Sequence, residues 1–111
     1  MAIPNVTITA GESVVIDSNP EDASNNPEVP QGSVLWSFGD PGSALLGTLT
    51  PQGANNTQCK FSTIAAGPLG VATINITGPQ TANPTTAQVT VTVEAGVLDH
   101  FSPTFETPTT P

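Results

Sequence analysis

Basic residues are almost missing from this sequence. Lys60 is the single Lys or Arg among 111 residues, against nine Asp and Glu, and the formal net charge is −8. Nucleic-acid binding needs Lys and Arg to neutralise phosphates, so the charge argues against that function class and, on the same ground, against an anionic membrane surface. Partners that are neutral, basic or bridged by a cation suit the balance better. Cysteine is equally scarce: Cys59 stands alone, so no disulfide can form within the chain. In an alternating apolar run such a residue reads as a small buried hydrophobe rather than a reactive thiol. No apolar run approaches the ~18 residues of a membrane-spanning helix, and membrane insertion is not expected. No basic and then apolar leader follows Met1 either. Strand-like sequence starts at once with Val6-Thr7-Ile8, so the domain is expected to begin where the chain does.

What is present is β-forming. Thr and Val recur, 12 Pro and 10 Gly punctuate them, and no stretch sustains a helical apolar period. Short alternating runs appear instead. Val6 and Ile8 form the first, and Val14 and Ile16 the second. Val34, Trp36 and Phe38 form the third, stopped by Asp40-Pro41-Gly42. A weaker run around Leu46 and Leu49 ends at Thr50-Pro51-Gln52-Gly53. Cys59 and Phe61, then Ala72, Ile74 and Ile76, then Val89, Val91 and Val93 complete the set. Seven such runs joined by Pro, Gly and Asn turns predict an all-β sandwich of two sheets around one core. Trp36, the largest apolar side chain on a strand, is expected at the centre of that core. Residues 1–95 read as the sandwich and 96–111 as a C-terminal extension. Two segments fall outside the alternation: the acidic, Asn- and Pro-rich stretch 17–32, and the extension itself.

The opening Val6-Thr7-Ile8-Thr9-Ala10-Gly11-Glu12-Ser13-Val14 begins a series of motifs. Val34-Leu35-Trp36-Ser37 and Gly67-Pro68-Leu69-Gly70-Val71-Ala72-Thr73-Ile74 follow, and Val89-Thr90-Val91-Thr92-Val93 closes it. In this order, over roughly residues 5–95, the series resembles the bacterial immunoglobulin-like (BIG-type) domains. The resemblance implies an immunoglobulin-like two-sheet sandwich and no catalytic residues. It also implies a place on phage capsid or tail proteins, or as a repeat in bacterial adhesins and secreted enzymes.

The residues themselves offer little chemistry. His100 is the only His and lies beyond the last core strand, so a catalytic triad has no base near a nucleophile. No phosphate-cradling Gly loop and no zinc spacing occurs, and no cofactor is expected. Asp17, Glu21, Asp22 and Glu28 share one loop, with Asp40 on the next turn, and are the weak candidates for a calcium site. Their spacing matches no EF-hand, and solvated acids need no metal. The glycosylation-type triplets at Asn5, Asn55 and Asn75 read as chance in a Thr-rich chain. The extension carries Val97, Leu98, Phe101 and Phe105 amid Pro and Thr that cannot build a core, so these four are the candidate partner-binding residues. The bland alternative is that Val97, Leu98 and Phe101 fold back as an extra edge strand. The expectation is a non-catalytic binding or structural module: a bacteriophage decoration protein at the virion surface, attached to a capsid or tail protein through the extension. A repeat from a secreted bacterial adhesin or carbohydrate-processing surface protein, facing a host-surface glycan, is the alternative.

Overall fold

Seven strands realise the seven alternating runs in the computed structural model, which describes residues 3–22, 24, 26–79, 85–96 and 101–110. They are β1 (Asn5–Thr9), β2 (Ser13–Asp17), β3 (Leu35–Phe38), β4 (Gly47–Gln52), β5 (Gln58–Thr63), β6 (Gly70–Thr77) and β7 (Thr86–Glu94). One sheet has the order β1-β7-β6-β3 and the other β2-β5-β4. All strand pairings are antiparallel except that of β1 with β7, which runs parallel from Asn5↔Thr90 to Thr9↔Glu94. The arrangement is immunoglobulin-like. β2, β5 and β4 take the places of strands B, E and D, and β3, β6 and β7 those of C, F and G. The first strand departs from the constant-type pattern by lying beside β7 rather than beside β2.

The inward faces close on Leu46, Phe61, Ala72, Ile74, Val91 and Val93, all buried. Phe61, 0% exposed, lies on the central strand of the three-stranded sheet. Its ring meets that of Phe38 edge to face, with centroids 6.1 Å apart at 75°. Cys59, two residues earlier on the same face, is buried as a small hydrophobe, and burial pushes its thiol above the ordinary 9.0.

Two expectations need correction. Trp36 is half-buried and packs against the core rather than forming its centre. β3 is an edge strand, and the indole N–H needs a partner, which it finds by donating to the Asn56 carbonyl at 2.7 Å. The fourth run continues through Pro51 instead of ending there, because β4 is also an edge strand. The bonds Ser18 N–H to Thr57 O and Thr63 N–H to Glu12 O turn the odd-numbered residues of β5 toward β2. Pro51, opposite Cys59, therefore aims its nitrogen away from the ladder, where a missing N–H costs nothing.

The β2–β3, β4–β5 and β6–β7 connections gather at one end of the sandwich. The other three gather at the opposite end, where β7 finishes beside Thr9. Because Phe61 and not Trp36 fills the centre, Phe61→Ala should cost about 3–5 kcal/mol and Trp36→Ala clearly less. Denaturant titration of both variants checks this, and a larger loss at Trp36 would reverse the assignment.

Candidate partner-binding site

The segment 17–32, read as irregular, contains a small hairpin. Glu21 and Pro27 form an isolated antiparallel bridge, Asp22 N–H donates to Asn26 O, and Glu28 N–H donates to Pro20 O. Asp22 shapes its tip: one carboxylate oxygen accepts the N–H of Ser24 at 2.8 Å and of Asn26 at 3.0 Å. These bonds, that of Asn26 foremost, hold the Asp22 carboxyl below its ordinary 3.8. Asp17 is held low in the same way by the Asn19 N–H, and secondarily by the Gln58 amide.

The five acids weighed as calcium ligands do not converge. Asp40 leaves the far end of β3 from the acidic loop, and one of its oxygens accepts both the N–H and the hydroxyl of Ser43. The buried Ser43 hydroxyl in turn accepts the Thr73 N–H at 2.8 Å, so Asp40 serves the fold at the edge of β6. Glu21 and Glu28 are exposed on the hairpin. Among the described residues no three His, Cys, Asp or Glu side chains stand together as a metal-binding group. Between this loop and the start of β7 lies a cleft of about 210 Å³, lined by Pro20, Pro30, Val34, Ile76, Pro79 and Ala87 among others. Sequence reading missed it because alternation assigns Val34 and Ile76 to the core and says nothing of how loops cover the sandwich's end.

Of the extension, Val97, Leu98 and His100 lie outside the described residues. Phe101 and Phe105 are 77% and 103% exposed, and residues 101–110 carry no secondary structure. Phe101 therefore takes no part in an added edge strand on its own domain. These two are the most exposed large hydrophobic side chains among the described residues, and burying one Phe yields ~1.5–3 kcal/mol.

Two outcomes follow from the acids. With no assembled cation site among the described residues, a chelator should leave Tm unchanged, and a fall of several degrees with EDTA would place an ion on the 17–28 loop. The lowered carboxyls of Asp17 and Asp22 contribute stability that is present above the ordinary carboxylate range and lost as pH falls through their folded values. Asp22→Asn should therefore flatten the change in denaturation midpoint between about pH 6 and about pH 2.5. An unchanged slope would show that this carboxylate does not contribute.

No protein-family model and no curated protein matches the chain. Among solved structures, an endo-fucoidan hydrolase from glycoside hydrolase family 107 is similar over 85% of this chain and 13% of its own. The TM-score is 0.45 and the identity 16%. The chain thus spans a small part of that enzyme's length, and a likeness at this level carries no argument about activity.

Proposed function

We propose that this chain is a non-catalytic immunoglobulin-like module that holds a protein partner through its C-terminal extension. The observation that carries the reading is the exposure of Phe101 and Phe105 in a segment without secondary structure. Pro103 and Pro108 stiffen that segment and lower the entropy lost when it is ordered on a partner. The sandwich adds support by contrast. Asp22 and Asp40 are taken up by their own turns, and none of its described buried side-chain polar atoms lacks a hydrogen-bond partner. The setting we favour, on the BIG-type resemblance, is the surface of a bacteriophage particle, with a capsid or tail protein as the partner. A repeat of a bacterial surface protein is the second reading. It is favoured by β1 starting and β7 finishing at opposite ends of the sandwich, as stringing of modules requires.

Removal of residues 97–111 tests the attachment. The shortened chain should unfold cooperatively near the full-length midpoint and lose binding to the purified particle or surface fraction. Retained binding would move the contact to the 17–32 loop and its cleft, and loss of folding would assign the extension to the sandwich. Antibody labelling of phage particles against cell envelopes separates the two settings.

A further inference from the structure

A two-sheet sandwich has four strand edges, and here three of them are each interrupted at one point. At the end of β1, Thr9 donates its N–H to Glu12 Oε1 at 2.6 Å and accepts the Glu12 N–H at 2.9 Å. The Ala54–Asn56 turn sits at the start of β3, taking the Val34 N–H on Asn55 O and the Trp36 indole on Asn56 O. β4 presents Pro51. Such devices are how sheets avoid unwanted pairing. β2 has none. Its even-numbered residues bond to β5, so the N–H and C=O groups of Ser13, Val15 and Asp17 face outward with no strand beside them among the described residues. Val15 is 48% exposed at the middle of this open edge.

The extension is built like the missing strand. In extended form Phe101, Pro103 and Phe105 share one side, and Ser102, Thr104 and Glu106 the other. The N–H groups of 102, 104 and 106 share one edge, while Pro103 lacks an N–H only on the opposite one. An outermost strand tolerates Pro in that position. We propose that the open edge of β2 receives residues 101–106 of a second copy of this chain as an antiparallel strand. The inference rests on the extension being the attachment segment and makes its partner a second copy of this chain in place of a separate capsid or tail protein.

One antiparallel register engages 102, 104 and 106 with all three outward residues of β2. Thr104 lies opposite Val15, Ser102 opposite Asp17 and Glu106 opposite Ser13. The outward backbone groups of β2 then meet those of 102, 104 and 106. Pro103 and Phe105 fall beside Ile16 and Val14 on the inner, apolar side, and no two acids stand directly opposite each other. In this register the donor cannot be the chain's own extension. Gly96 lies beside Thr9, at the Ser13 end of β2; a Cβ on it would approach Thr9 Cγ2 to 3.2 Å. The register needs Phe101 opposite Ser18, beyond the other end of the strand. That is about 17 Å along β2. Five peptide steps reach at most about 18 Å, which leaves no chain for the reversal.

Disulfide trapping in the full-length chain tests this. A Val15→Cys chain mixed with a Thr104→Cys chain should give an intermolecular disulfide, since opposed hydrogen-bonded residues lie ~5.5 Å apart. A Leu45→Cys chain mixed with Thr104→Cys should not. Sedimentation of the unmodified chain should show self-association that rises with salt, because each copy carries −8. Val15→Pro removes an N–H that β5 does not use, and should weaken the association about threefold to tenfold without loss of the folded state. If Val15→Pro misfolds, Thr104→Pro makes the same cut from the donor side. A monomer at all salt concentrations, trapping equal to the Leu45 control, or a disulfide forming only within one chain carrying both cysteines would each overturn the inference. Partner binding lost on removal of 97–111 alongside failed trapping leaves the attachment reading standing and sinks this one alone.

Discussion

The ring of Phe61 is what the two sheets share. It projects from the central strand of one sheet toward β3 and β6 of the other, and its edge-to-face meeting with Phe38 sets how closely the layers approach. The backbone around it is fitted to that ring. A Cβ added to Gly47 would stand 3.0 Å from Phe61 Cε1 and would also run into the Ser62 carbonyl, so β4 can enter beside β5 only as glycine. Leu46 completes the same wall one residue earlier. With a core this small, the remaining stability comes from ladders and turns. That explains why exposed carboxylates such as those of Asp22 and Asp40 are spent on backbone N–H groups.

Much of the fold was legible because alternation is local. Val89, Val91 and Val93 show their inward face without knowledge of any partner, and the same holds for Ala72, Ile74 and Ile76. What alternation does not carry is neighbour order. The parallel docking of β1 on β7 joins residues 85 apart, as in Asn5↔Thr90, and no short-range pattern encodes it. Depth is hidden for the same reason. Trp36 and Phe61 look alike within their runs, yet one lies on an edge strand and the other on a central one.

The candidate site divides along the same line. The turn role of Asp22 was readable from its spacing to Ser24 and Asn26, a common way for Asp to bond its own backbone, and the carboxylate count drew attention to a metal instead. The isolation of Asp40 from the other acids was not readable, since it depends on which end of β3 each connection occupies. The apolar side of Phe101, Pro103 and Phe105 was in the sequence throughout. The edge it matches became visible only when β2 was seen to lack a neighbour.

The parallel pairing of the first and last strands has a mechanical meaning. Tension applied through the two ends of the domain pulls β1 and β7 along their own axes in opposite directions. The ladder from Asn5↔Thr90 to Thr9↔Glu94 is then loaded in shear, with its bonds sharing the force and failing together rather than opening one by one. Had β1 paired with β2 alone, the same pull would not act on a single ladder joining the two ends. A module built this way resists stretching along the line joining the start of β1 to the end of β7.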